Sequence, residues 1–119
     1  MLVNGAIYAA GQRVRTIDLD QLPNSGPQDD AFLWIALKNP DHVEIEKLQV
    51  HFGLHPLAIE DAQSGHQRPK LEEYGSTLFS VIQLLQYSAG EISVGEIDIF
   101  VNQQFILSLR SRSEQDFLG

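Results

Sequence analysis

Residues 53–56, Gly53-Leu54-His55-Pro56, limit the folding of this chain more than any other stretch. Gly53 suits the left-handed residue just past a helix end, with Leu54 behind it as the hydrophobic follower. Pro56 stands where a second helix opens, because its missing N–H would be unsatisfied there anyway. One long helix is therefore excluded, and two consecutive helices are expected. Asp41 caps the first, and Glu44 three residues on makes an approximate capping box. Ile45, Leu48 and Phe52 recur at helical spacing and should face a sheet. The second helix is short and ends near Ser64-Gly65. At about 100° per residue, Ala58, Ile59 and Ala62 share its inward face. Glu60 and Asp61 straddle the opposite face, with Leu57 between them. Such a pair is either an ordinary solvated surface or a meeting point for a cation or another subunit, and the helical wheel does not choose.

The flanking segments carry strand signals. Residues 2–9 read as one strand and 13–19 as another, with Val14, Ile17 and Leu19 as apolar members and Ala10-Gly11 as the turn. Residues 21–30 shift to Pro, Asn, Ser, Gly, Gln and Asp, the composition of a loop. Residues 32–37 are continuously apolar, as in a strand covered on both faces, and a helix on each side of the sheet would explain it. Residues 70–87 continue as strand, with a bend or bulge at Gly75-Ser76. Ser88-Ala89-Gly90 turns the chain into residues 92–101, where Ile97, Ile99 and Val101 alternate with Asp98 and Phe100. Asn102-Gln103 then leads to a strand over 105–110. Ser113, with Asp116 three residues later, opens a helix that the chain leaves almost at once. The expected fold is α+β: a mixed parallel and antiparallel sheet of about six or seven strands with helices against it in αβα-type layers.

Composition narrows the function. A chain of 119 residues is one domain with enough surface to bury a core without disulfide or metal staples. It has no cysteine, which removes disulfides and thiolate metal sites and fits a reducing compartment. Eight basic against sixteen acidic residues give a net charge of −8, which argues against a nucleic-acid or anionic-membrane surface. No apolar run reaches the length of a membrane span. Met1 does not lead into a basic segment followed by an apolar block, so no signal peptide is expected. The chain reads as a soluble domain.

Few residues suggest chemistry by spacing alone. His51 and His55 are four apart, which could place two imidazoles on one helix face. Gly53 and Pro56 separate them into different helices, and surface or capping roles fit better. His66-Gln67-Arg68-Pro69-Lys70 is a polar turn with no aromatic platform or glycine-rich cradle for phosphate. Pro69 holds Arg68 extended, and Arg68 or Lys70 can pair with Glu72 or Glu73. There is no His-Glu-x-x-His, nucleophile elbow or cysteine nucleophile. Glu60 and Asp61 would need burial to split their pKa values for acid/base work, and the wheel turns them outward. An enzyme is not expected.

Two runs at fixed spacing carry a resemblance. They are Leu54-His55-Pro56-Leu57-Ala58-Ile59-Glu60-Asp61 and His66-Gln67-Arg68-Pro69-Lys70-Leu71-Glu72-Glu73-Tyr74. Together they resemble the cytoplasmic amino-terminal domain of the CorA family of magnesium transporters. Trp34-Ile35-Ala36-Leu37 is similar to the family's tryptophan-led strand, and residues 97–101 followed by 105–107 are similar to its later hairpin. The likeness spans roughly residues 31 to 112. It implies a soluble domain over residues 1–112, with residues 113–119 starting the stalk helix that leads to two membrane helices with a Gly-Met-Asn signature. Those later parts are absent from this sequence, so the chain is expected to be an excised piece rather than a stand-alone relative.

The resemblance further implies a homopentamer on the cytoplasmic side of the membrane that senses Mg²⁺ through an acid on the short helix, between neighbouring subunits. By motif position that acid is Asp61, with Glu60 as an auxiliary or water-mediated ligand. The other half of the site lies on the absent stalk, so weak binding is expected. Mg²⁺ suits such a place because it takes oxygen ligands and keeps several waters. Co²⁺, Ni²⁺ or Zn²⁺ are the alternative ions, Zn²⁺ in a zinc-transporting relative. A stand-alone ion-binding or interaction module is the alternative of a different class.

Overall fold

The computed structural model describes residues 1–22, 31–64 and 67–111. Seven strands form one sheet: β1 (Leu2–Ala9), β2 (Gln12–Thr16), β3 (Ala31–Lys38), β4 (Lys70–Tyr74), β5 (Thr77–Ser88), β6 (Glu91–Val101) and β7 (Phe105–Ser111). Helices α1 (His42–Phe52) and α2 (Pro56–Ser64) fall between β3 and β4. The strand order is β2-β1-β3-β7-β6-β5-β4. Among the described residues only the β3–β7 pair is parallel, with Ile35 opposite Leu107; the other pairings are antiparallel. The sheet is mixed, and the fold is α+β.

Local chemistry explains the helices. Asp41 accepts from the Glu44 N–H at 2.8 Å, and Glu44 returns a bond to the Asp41 N–H at 3.1 Å, closing the capping box. Gly53 ends α1 in the left-handed region at φ 63°, a conformation costly to any side chain with a Cβ. The Leu54 N–H then returns to the Gln49 carbonyl at 3.2 Å, and Leu54 itself is buried. The break between the helices thus follows from four residues.

Both helices cover the same face of the sheet. Ile45 and Leu48 of α1, with Ala58 and Ile59 of α2, join Leu33, Ile35, Leu37, Phe79, Val81, Phe100, Phe105, Leu107 and Leu109 in one cluster. Burying a side chain of this size stabilises the fold by roughly 1.5–3 kcal/mol. The opposite face carries Tyr8 stacked on Phe32 at 5.3 Å between ring centroids, with Trp34 at 6.2 Å from Tyr8. Among the described residues no helix lies over it. The apolar run of β3 therefore has its helical cover on one side. No described helix is long and apolar enough to cross a membrane.

Two local expectations change. Residues 70–87 are not one bent strand: Tyr74 pairs with Thr77, so Gly75-Ser76 reverses the chain completely. Gly75, at φ 64°, supplies the left-handed residue that two-residue hairpins require. The second strand stops at Thr16, not Leu19. All of β2 is exposed, including Val14, because it is an edge strand with no helix above it. Ile17 is buried in the core, and Leu19–Gln21 form a 3-10 turn from which Leu19 packs against it. The loop expected over 21–30 and the helix start at Ser113 fall outside the described residues, apart from Gln21 and Leu22.

The long hairpin of β5 and β6 outgrows its neighbours. Pairing with β4 ends at Val81, and pairing with β7 begins at Glu96. Between these limits the two strands have, among the described residues, only each other as strand partners, with Leu85 opposite Val94 and Tyr87 opposite Ile92.

Candidate functional site

Helix α2 sits above β4 and β5, and the motif residues meet there. At its start, His55 Nδ1 accepts from the Leu57 N–H at 3.1 Å, replacing one of the partners that a helix N-terminus lacks. The His55 ring stacks on Tyr74 of β4 with 4.4 Å between centroids. Pro56 opens the helix. Ala58 and Ile59 are buried, and Leu57 and Glu60 are exposed.

Asp61 does not share the orientation of Glu60. Its side chain is 27% exposed and bonds the Lys70 ammonium, which has the same 27% exposure. Lys70 also reaches Glu72 at 2.9 Å, and its Nζ lies 5.8 Å from the centre of the Phe79 ring. The Tyr74 hydroxyl donates to the other oxygen of Glu72. The strand period makes this possible, since Lys70, Glu72 and Tyr74 alternate with Leu71 and Glu73 and so point to the helix side together. The result is a clasp running from Asp61 on α2 through Lys70 and Glu72 to Tyr74, which returns by ring stacking to His55 at the helix start.

The charges in the clasp tune one another. Hydrogen bonds to Asp61, then to Glu72, raise the Lys70 pKa above the ordinary lysine value. The Tyr74 hydroxyl, followed by the Lys70 ammonium, holds Glu72 below the ordinary carboxylate value. The same Glu72 carboxylate raises the Tyr74 phenol.

The remaining motif residues have separate placements. Gln67 donates its backbone N–H to Glu96 Oε1 at 3.0 Å, which anchors the segment after α2 to the sheet. Arg68 and Pro69 are exposed, and His66 lies outside the described residues. His51 stays on α1, edge-on to Phe52 at 4.7 Å, away from the capping role of His55. Glu96, 1% exposed, was not singled out from the sequence. Its signal was the period-2 pattern that sets Glu96 on the same side of β6 as Asp98 and Phe100.

Chemically, the place offers carboxylate oxygens on the flank of a short helix, one already paired with an ammonium. Among the described residues, no group of three or more His, Cys, Asp or Glu side chains converges as a metal-binding set. Mg²⁺ is commonly held by one or two carboxylates and completes its shell with water. Asp61 and the exposed Glu60 fit part of such a shell.

A mixed sheet roofed on one face by two capped helices, with acids on the flank of the second, defines an α+β domain. The chain belongs to the CorA family: the family model described as CorA-like Mg2+ transporter protein matches residues 29–116. It is 33% identical over 103 residues to YfjQ of Bacillus subtilis (strain 168), which is named for metal ion transport; the match covers 87% of this chain and 31% of that protein. It is 24% identical over 82 residues to the cobalt/magnesium transport protein CorA of Thermotoga maritima, covering 66% of this chain and 23% of that one. The full-length CmaX protein has a similar structure, with a TM-score of 0.77, 19% identity, and coverage of 94% of this chain and 35% of that chain. The chain thus spans about a third or less of the length of these proteins.

Proposed function

We propose that this domain is the cytoplasmic, metal-sensing part of a CorA-like divalent cation transporter, and that it is not an enzyme. In this reading Asp61, with Glu60 beside it, supplies one subunit's share of a Mg²⁺ site between neighbours in a homopentamer. The observation that supports it is the position of Asp61: 27% exposed on the flank of α2, with too few ligands among the described residues to close a shell alone. Mg²⁺ at these interfaces favours the closed state. Co²⁺ would enter the same oxygen-rich place, in keeping with the name of the Thermotoga maritima relative.

Weak sites suffice for such control. Moving a two-state equilibrium from 1:99 to 99:1 takes about 5.5 kcal/mol of differential binding. Spread over five interfaces this is roughly 1 kcal/mol each, within reach of a hydrated ion bridging carboxylates. The test uses a full-length protein carrying this domain. Asp61→Asn should weaken Mg²⁺-dependent protection from proteolysis, and unchanged protection would remove Asp61 from the sensor. Isothermal titration of the isolated domain should show only weak Mg²⁺ binding, and micromolar affinity would contradict the half-site.

A further inference from the structure

The Asp61 carboxylate already has a cation. The Lys70 ammonium bonds it from the first residue of β4, and the same ammonium holds Glu72 at 2.9 Å. Both partners of the Asp61–Lys70 pair are only 27% exposed, so the lysine is held against α2 rather than moving freely in solvent. A divalent ion arriving at Asp61 meets a carboxylate whose Oδ2 the ammonium already holds, and two cations at one carboxylate repel.

We propose that Lys70 is a tethered internal competitor for the divalent ion at Asp61, so that ion binding transfers the lysine wholly to Glu72 and unties α2 from edge strand β4. The inference rests on the reading of Asp61 as an ion ligand. Two features make the transfer feasible. Once displaced, Lys70 keeps a carboxylate partner in Glu72 and stays near the Phe79 ring, so no unpaired charge is left stranded. The start of α2 is held independently, by the His55–Tyr74 stack and the His55 cap on Leu57. Release at Asp61 therefore loosens the second half of the helix and leaves its first turn pinned. The lysine sets the ion concentration at which the domain responds, and its loss should make the response more sensitive.

Partly screened ion pairs of this kind shift an equilibrium by up to about fivefold. The experiment titrates Mg²⁺ against a full-length protein carrying this domain. It reads the midpoint of protection from chymotrypsin, which does not cut at lysine. Lys70→Met keeps the aliphatic stem and removes the charge, and its midpoint should fall to roughly one-third to one-fifth of the wild-type concentration. Lys70→Arg should stay near wild type. Glu72→Gln removes the lysine's second partner, strengthens its hold on Asp61 and should raise the midpoint.

A Lys70→Met midpoint that stays or rises overturns the proposal, as does a Glu72→Gln midpoint that stays or falls. Asp61→Asn separates the two levels of the argument. If that variant loses the Mg²⁺ response while Lys70→Met shifts nothing, competition is wrong and the Asp61 reading stands. If Asp61→Asn responds normally, both are overturned.

Discussion

Phe79 and Leu85 lie on the same strand and point to the same side of the sheet, yet one is fully buried and the other 70% exposed. Around Phe79, β5 has β4 on one side, β6 on the other and α2 above. Around Leu85 it has, among the described residues, β6 alone. Apolar character is therefore not what distinguishes the halves of this strand; cover is. The covered half also supports the polar clasp, because Phe79 lies beneath Lys70 and narrows its solvent access. The uncovered half shows Leu85, Tyr87, Ile92 and Val94 on the helix side of an isolated two-stranded ribbon. Isolated hairpins are marginal in water, so this ribbon draws its order from the sheet at its base.

The largest test of this contrast is Phe79→Ala. It should cost about 3–5 kcal/mol in a urea unfolding experiment, through lost packing against Phe100 and the cavity left behind. A loss below about 1 kcal/mol would show that the covered half is not the packed centre of the domain. Gly53→Ala comes next. It forces a left-handed residue with a Cβ at the junction that seats α2, and should lower stability by about 1–2 kcal/mol. Thermal melts would register this, and an unchanged melting temperature would mean that the junction can relax. Leu85→Ala should change stability by less than about 0.5 kcal/mol, since it removes an exposed group. A cost like that of Phe79→Ala would erase the contrast between the two halves.

The smallest effect concerns pH and the clasp. Glu72 is depressed in the folded state, so its contribution is present above the ordinary carboxylate value of 4.5 and is lost as pH falls through the folded value. Lys70 is raised, so its contribution is complete below the ordinary lysine value of 10.5 and is lost only as pH climbs through its higher folded value. Melting curves of wild type and Glu72→Gln should differ near neutrality and converge on acidification. A difference that stays constant down to about pH 3 would mean that Glu72 ionisation does not stabilise the clasp.

Sequence and structure agree best where interactions are short in chain distance. The Asp41–Glu44 capping box, the Gly53 helix end, the Pro56 start and the inward trio of Ala58, Ile59 and Ala62 all depend on residues within about one helical turn of each other. The motif likewise marked Asp61 and Lys70 as residues of interest, and the sequence offered Glu72 or Glu73 as partners of Arg68 or Lys70 without choosing among them; the structure selects Lys70 with Glu72. The link from Lys70 back to Asp61 was not. It joins residues nine apart across a helix, a loop and a strand, and no periodicity reports such a crossing. The wheel therefore left Asp61 facing outward beside Glu60. Glu96 shows the same limit, because its burial depends on which strands flank β6 and where α2 ends.

The sequence by itself determined where helices begin and end, which residues of each helix face inward, and which family the chain resembles, because caps, turns and periodicity act over a few residues. Only the tertiary structure decided that both helices share one face, that β7 lies parallel to β3 at the middle of the sheet, and that Asp61 meets Lys70. Strand order and cross-element ion pairs are set by which surfaces bury each other best, and that choice is made by the whole chain at once.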